Sequence, residues 1–376
     1  MIGQWLAEVQ NGEETPSETL RVDLEDRGSG IFGHAYLFFP GADLPGFLYP
    51  VHLPKEPPHR TTVDVVYLYS NGGEMTPADR QGAEANLAKT HGAPPPAAMD
   101  VEFTLEGETL KIDWSASDDR GGSINLFKSD TKGASELTGR ADLISWDAFR
   151  QWAVSQHPRN YIFRGQRNPN KLVSSFHRTW RKDLRTWINQ DVNALFGAVA
   201  ERLSYPLQIG NLQHNTAIWS ILQHHGYPTP MIDWSFSPFV AAYFAFQDAD
   251  QQPDCAPRIF IFDQARWNER YGKAGFIVDA APNQLVVIES MPAANPRHAP
   301  QQAISTVTNL ADVEDFIRKR EREDGETYLT VCDLPRESRP QIMRELELMG
   351  ITFGSLFPGL DGICRDMRDR LFAKPT

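Results

Sequence analysis

Two motifs constrain this chain more than anything else in it. They are Tyr161-Ile-Phe163-Arg164-Gly165-Gln166 and Leu222-Gln223-His224-His225-Gly226-Tyr-Pro228-Thr-Pro230-Met-Ile-Asp233-Trp234-Ser235-Phe-Ser237-Pro238, separated by a helical spacer and followed by an apolar run to Phe246. The first reads as a short buried strand that delivers one arginine and then turns at a glycine. The second gathers two histidines, one aspartate, one tryptophan and two serines around three prolines, just before a helix that Pro238 opens at its first turn. Polar density of this kind beside a buried helix marks a site, so a fold for this chain has to bring the two distant motifs together.

In this order the two segments resemble the FRG domain, a family of mostly bacterial proteins. Its members share a Phe/Tyr-Arg-Gly-Gln start and a later Gln-His-x-Gly-x-Pro-Thr-Arg-x-x-Asp-Trp-Thr-x-Ser-Pro-x-x-Ala-x-x-Phe-Ala block. Pro230 stands where the family has arginine, and Ser235 where it has threonine. Further on, Asn295-Pro-Arg297-His-Ala-Pro-Gln301-Gln302-Ala303-Ile-Ser305-Thr306 resembles the family's Arg-x-x-x-Gln-x-Gly-x-Phe-Thr segment, with Ala303 and Ser305 replacing its Gly and Phe. Ser355-Leu-Phe-Pro-Gly-Leu-Asp361-Gly-Ile resembles its closing motif, so the resemblance runs over residues 140–365.

The stretch from Ser237 into the following helix is also similar to the serine-bearing strand and helix of ADP-ribosyltransferases. That resemblance implies that Arg164 binds a dinucleotide, that Ser237 buttresses a nicotinamide pocket, and that the third element, normally a glutamate on the ribose 2′-OH, falls at Gln301 or Glu289. It implies an NAD-consuming enzyme in a bacterial toxin or phage-defence setting, with NAD as substrate, a nucleotide as ligand and a macromolecule as ADP-ribose acceptor. Two other classes remain open on the same residues. One is a non-catalytic nucleotide- or ligand-sensing module, and the other a nuclease-like toxin using the histidines and basic residues.

Residue by residue, Arg164 on a strand offers a bidentate donor to phosphate or carboxylate, and Gly165 allows close backbone approach. The alternative for Arg164 is an internal salt bridge to Asp233. His224 reads as a binding or acid/base group, or as a hydrogen-bonded structural histidine. Adjacent helical side chains diverge by about 100°, so His224 and His225 do not chelate one ion and no metal is expected. Asp233 orients a ribose or caps a local turn. Tyr161 or Trp234 stacks on a ring, and Gln166 and Ser235 complete the ligand-binding set. Arg164, His224, Asp233 and Ser237 are expected to converge on one pocket. Arg178, Arg181, Lys182 and Arg185 form a basic cluster that is either a solvated helix face or a phosphate site.

A chain of 376 residues, 41% hydrophobic and 23% charged, is long enough for two globular domains. It has no apolar run of membrane-spanning length, and its amino terminus lacks a secretory signal, so a cytoplasmic protein with no membrane partner is expected. The net charge of −12 makes nucleic acid an unexpected partner unless a local basic patch provides for it. Cys255, Cys332 and Cys364 are too few and too scattered for a disulfide framework or zinc site and are expected to be reduced, buried thiols. No P-loop, dinucleotide fingerprint, zincin helix or serine-hydrolase elbow is recognised.

The expected fold class is α+β: an all-β barrel or sandwich over 1–128, a linker over 129–139, and a mixed α/β FRG domain over 140–376, on the resemblance ADP-ribosyltransferase-like. Strand-like runs at 4–9, 19–24, 31–39, 61–69, 101–105, 109–114 and 123–128 alternate with Gly- and Asn-rich turns. The pattern is loosely similar to the β-domain that often precedes FRG domains and to lipocalin-like barrels, either filled or holding a ligand. Beyond 140, helices are expected from Ser145 to before His157 and at 191–203, 216–224, 238–247, 312–322 and 339–349, with strands at 161–164 and 328–332 and fully apolar, buried ones at 258–262 and 284–289.

Overall fold

The computed structural model describes residues 1–9, 18–90, 93–199, 212–247, 256–272, 280–290 and 295–372. Period-2 alternation builds its first sheet from β1 (Gly3–Val9), β2 (Glu18–Asp26), β3 (Ile31–Phe38), β4 (Gly46–Leu53), β5 (Arg60–Asp64), β6 (Val66–Leu68), β7 (Ala98–Glu106), β8 (Thr109–Ser115) and β9 (Gly121–Lys128). These pair antiparallel in the order β5-β7-β8-β9-β1-β2-β3-β4-β6. The two edge strands, β5 and β6, are joined through Val65 alone, which curls the sheet into a nearly closed barrel. Leu20, Val22 and Leu24 of β2 point into its apolar interior, and the alternate residues Arg21, Asp23 and Glu25 point outwards.

This unit is not all-β. A helix covers Pro77–Thr90, unexpected because its only deeply buried apolar residue is Leu87. Strand β4 also escaped the sequence pattern, since Pro50 interrupts it. Pro50 lies beyond the stretch of β4 that pairs on both sides, so its missing N–H breaks no second ladder. Against the reading that no dinucleotide fingerprint is present, Gly28-Ser-Gly30-Ile-Phe-Gly33 has its spacing directly after a strand, but it forms the tight turn from β2 to β3, with Gly28 at φ 84° and no helix following.

The second sheet contains β10 (Tyr161–Gln166), β11 (Met231–Ser235), β12 (Arg258–Asp263), β13 (Leu285–Ile288), β14 (Ala303–Thr308) and β15 (Leu329–Asp333), in the order β13-β14-β11-β10-β12-β15. Phe163, Ile259 and Val286 therefore share one sheet, as the buried apolar runs suggest. Every pairing in it is antiparallel. Helices Trp146–Ser155, Pro238–Phe246 and Arg339–Leu348 pack on one face, and Gln264–Tyr271 and Val313–Asp324 on the other. Ser145 caps the first of these helices as its sequence implies, accepting from the Ala148 N–H. Of the helix expected over 191–203, Val192–Val199 is present and 200–203 lie outside the described residues.

The outward residues of β2 meet the second sheet's unit through buried polar contacts. Gln4 Nε2 donates to Asp23 Oδ1 at 2.8 Å and to the Asn309 carbonyl at 2.9 Å, and Arg21 Nη1 donates to Asn283 Oδ1 at 3.0 Å. Glu25, fully buried, accepts from Arg181 Nε at 3.0 Å and from the Lys182 and Asp183 backbone N–H groups at 2.9 and 3.1 Å. These contacts correct the reading of the basic cluster. Residues 178–182 are irregular rather than helical, Arg185 on the short helix Leu184–Thr186 pairs with Glu74, and Lys182 Nζ is held by the His177 and Thr179 carbonyls. Arg181 and Lys182 join the two sheets and leave little for a phosphate.

Cys332 is buried and donates to the Leu143 carbonyl, and burial pushes its thiol up to about 12. Cys364 is exposed, against expectation, and Cys255 lies outside the described residues. No described helix is long and apolar enough to cross a membrane.

Candidate anion-binding cleft

Strand β10 pairs with β12 along its whole length, and β11 with β14, but β10 and β11 pair with each other only at Phe163 and Ser235. Beyond that pair the two central strands splay apart. The gap opens into a cleft of about 530 Å³ walled by both sequence motifs, by the end of helix Leu212–His224 and by residues 295–305 and Phe357. Gly165 keeps the opposite wall close. A Cβ there would lie 1.8 Å from the Ala241 carbonyl oxygen and 2.7 Å from the Ala245 nitrogen, so only glycine lets helix Pro238–Phe246 rest on β10. Its tight approach is to that helix.

Arg164 Nη1 crosses the split and donates to the Asp233 carbonyl oxygen at 2.6 Å. The salt bridge considered as the alternative for Arg164 is not formed: the contact runs to the Asp233 backbone and not to its carboxylate. The Asp233 carboxylate makes no hydrogen bond or ion pair among the described residues and is exposed to the cleft. Burial lowers the pKa of the Arg164 guanidinium, Asp233 opposes that shift, and nearby Arg178 adds to it. Arg178 also faces Arg164 across a smaller hollow of about 200 Å³ behind the cleft.

His224 is half-buried, and burial, then Arg297 and His225, lower its pKa despite Asp233, so its imidazole is neutral at pH 7. His225 turns outward, its ring edge-on to His224 at 5.0 Å. No cluster of three potential metal ligands occurs among the described residues. Gln301 Nε2 donates to the Leu356 carbonyl at 3.0 Å, fastening the cleft rim to the closing motif. Ser235 Oγ donates to the Gln301 carbonyl at 2.7 Å and accepts from the Ser237 N–H at 2.9 Å.

The structure thus gathers Arg164, Gly165, Gln166, His224, Asp233, Ser235 and Gln301 around one cleft. Ser237 is not among its walls. It is buried, and its Oγ accepts from the Val240 N–H at 3.2 Å as the N-cap of helix Pro238–Phe246. Tyr161 is likewise outside, edge-on to Trp152 at 5.5 Å beneath the helical layer. Trp234 borders the cleft, but its indole is buried beside Phe262 and donates to Thr306 Oγ1 at 3.0 Å, which leaves no free face for a ligand ring. Sequence reasoning assigned no role to Arg297, His298 or Phe357. Arg297 stacks on Phe357 with 4.7 Å to the ring centroid and forms no ion pair among the described residues. Its position in the Arg-x-x-x-Gln segment was the available signal.

Charge in the cleft runs against that of the whole chain. Among the described residues Arg164, Arg167 and Arg297 line it, against one carboxylate, Asp233, in a protein of net charge −12. Buried Arg164 Nε, Gln247 Oε1, Ser290 Oγ and His298 Nε2 meet no hydrogen-bond partner among the described residues. Leaving such an atom unsatisfied costs about 1–3 kcal/mol, so four along one cleft favour a polar occupant, one that offers Arg164 Nε an acceptor and the Gln247 amide oxygen a donor.

Residues 159–254 match the FRG domain. The FRG segment supplies β10, β11, the helix between the splayed strands and the helix packed on Gly165, and with them Arg164, His224 and Asp233. Arg297, Gln301 and Phe357 reach the same cleft from beyond its matched end. Within the segment, Pro230 is buried where the family has arginine, and its carbonyl accepts from Thr308 N–H at 3.2 Å where β11 begins. No curated protein and no solved structure matches the chain.

Proposed function

We propose that the cleft binds an anionic nucleotide, with NAD as substrate, and that an FRG domain extending over 140–376 breaks the N-glycosidic bond. The supporting observation is a cleft in which Arg164 and Arg297, neither in an ion pair among the described residues, stand beside buried polar atoms that have no described partner. A cleft of about 530 Å³ falls within the range of small-molecule sites. Arg164 and Arg297 hold the pyrophosphate by charge-assisted hydrogen bonds, each worth about 1.5–3 kcal/mol. Asp233 takes the place of the transferase glutamate, since Gln301 carries no charge and its amide is engaged by Leu356. The C1′–N bond breaks with its electron pair leaving on nicotinamide, the Asp233 carboxylate steadies the oxocarbenium-like centre, and water or an acceptor hydroxyl attacks C1′. Neutral His224 takes the proton that the nucleophile loses. NAD depletion or modification of a macromolecule would suit the toxin or phage-defence setting that the family resemblance implies.

A second reading, a non-catalytic nucleotide sensor, is favoured by one observation: Ser235, Ser237 and the Gln301 amide are all committed to backbone hydrogen bonds. Calorimetry with NAD, paired with nicotinamide release, separates the readings. Wild type should bind and release, Arg164→Ala should bind about 10–100-fold more weakly, and Asp233→Asn should bind but not release. Binding without release by wild type favours the sensor. Neither binding nor release by folded protein rejects the nucleotide assignment.

A further inference from the structure

The barrel built from β1 to β9 is not filled. Trp5, Leu24, Leu53, Leu110 and Leu126 are fully buried within it, yet beside them lies a cavity of about 500 Å³ whose walls are mainly apolar. Leu20, Leu37, Met99, Trp114 and Ile124 occupy inward positions of their strands and are nevertheless only half-buried, because they face this cavity. A hollow of that size forfeits the dispersion contacts its lining would otherwise make, and lies within the size range of ligand sites. Barrels of about eight strands are just wide enough to hold one small ligand.

A second observation points to a ligand. Tyr49 projects into the cavity from β4, next to Ala35 on β3, and is only 8% exposed. Its hydroxyl makes no hydrogen bond to protein among the described residues and lies on the cavity wall without being sealed by other side chains, so the cavity is where it can find the partner that tyrosine hydroxyls usually have. Burial, with Tyr67 and Glu18 nearby, raises its pKa, so it stays a neutral donor. Two charged residues stand on the described wall: Arg120 is already held by Asp118 and by the Pro94 carbonyl, and Glu18 is also engaged.

We infer that the barrel cavity binds a compact apolar molecule carrying one hydrogen-bond acceptor, an aryl or alkyl ketone in chemical type, with the acceptor taken up by the Tyr49 hydroxyl. The site shares no lining residue with the cleft between β10 and β11, and does not depend on the nucleotide reading.

The test uses the full chain and the naphthyl ketone 6-propionyl-2-(dimethylamino)naphthalene, whose emission moves to shorter wavelength when it leaves water. Wild type should give a saturable blue shift. Leu37→Trp, which places an indole in the cavity from a half-buried position, should abolish it, and Tyr49→Phe should weaken binding roughly 3–10-fold through the lost hydrogen bond. Circular dichroism checks folding, and Ile124→Trp substitutes for Leu37→Trp if that variant does not fold. The inference is overturned by any of three results: no saturable shift with folded wild type, an unchanged titration in the cavity-filling variant, or an unchanged affinity in Tyr49→Phe.

Discussion

Arg164 and Asp233 face each other where β10 and β11 part beyond Phe163 and Ser235, and the bond between them runs from guanidinium to backbone carbonyl at 2.6 Å. The carboxylate of Asp233 is left to the cleft. A guanidinium whose pKa is lowered by burial, with its Nε unpaired, is a group the folded state holds at a cost. Arg164→Met should therefore leave the melting temperature unchanged or higher while weakening NAD binding about 10–100-fold, the trade expected of a residue kept for function. A large fall in melting temperature would instead make Arg164 a structural tie.

Gly165→Ala addresses packing alone. The added methyl would overlap the Ala241 carbonyl, which belongs to helix backbone and cannot swing aside. Overpacking of this kind costs typically about 1–3 kcal/mol, and here at least the upper end is expected in urea unfolding. A loss of only a few tenths would mean that the helix rests less tightly on β10 than its geometry shows.

Much of the cleft was legible because its residues fall in two motifs whose polar pattern has no use in a plain core. Arg164, His224 and Asp233 follow from that pattern. Ser237 misled because a serine before Pro at a helix start reads equally as a ligand contact and as a cap, and only the Val240 N–H at 3.2 Å decides between them. Trp234 misled for a similar reason: period-2 alternation along β11 turns its indole inward while Asp233 faces out. The strands of the barrel were readable from alternation, whereas β4 and helix Pro77–Thr90 were not, one broken by Pro50 and the other carrying Leu87 as its one large apolar residue. The basic cluster could not be placed by sequence at all, since its partner Glu25 lies on a strand of the other sheet.

Ser237→Ala follows from the capping geometry. Losing an N-cap costs about 1 kcal/mol, so chemical unfolding should register that loss while the affinity for NAD stays within error of wild type. Affinity falling by tenfold or more would return Ser237 to the ligand site.

Glu25 gathers Arg181 and two backbone N–H groups in a fully buried position between the sheets. Removing one partner of such a buried charge network destabilises by about 3–5 kcal/mol. Glu25→Ala should unfold at correspondingly lower urea concentration, and a loss below 1 kcal/mol would show that the contact behaves like a surface ion pair.

His177 should give the protein an acid limb of its own. It is fully buried, its Nδ1 is 2.7 Å from Ser174 Oγ, and its Nε2 has no partner among the described residues. Burial, then Lys182 and Arg21, push its pKa down from 6.5 to about 3. The unfolded chain therefore takes up a proton below pH 6.5 that the folded chain refuses until about pH 3, so the stability linked to His177 is complete above 6.5 and is lost as the pH falls through that window. Buried Asp23 works in the opposite sense. Its pKa is raised from 3.8 to about 6 chiefly by burial, so its contribution is most favourable below 3.8 and declines as the pH rises towards 6. Comparing wild type with His177→Asn cancels the Asp23 contribution and isolates the histidine. Between pH 7 and 5 the wild type should lose roughly 2 kcal/mol more than the variant, from about 1.4 kcal/mol per pH unit. Parallel stability profiles over that range would show that His177 is protonated in the folded protein or that it is not buried in solution.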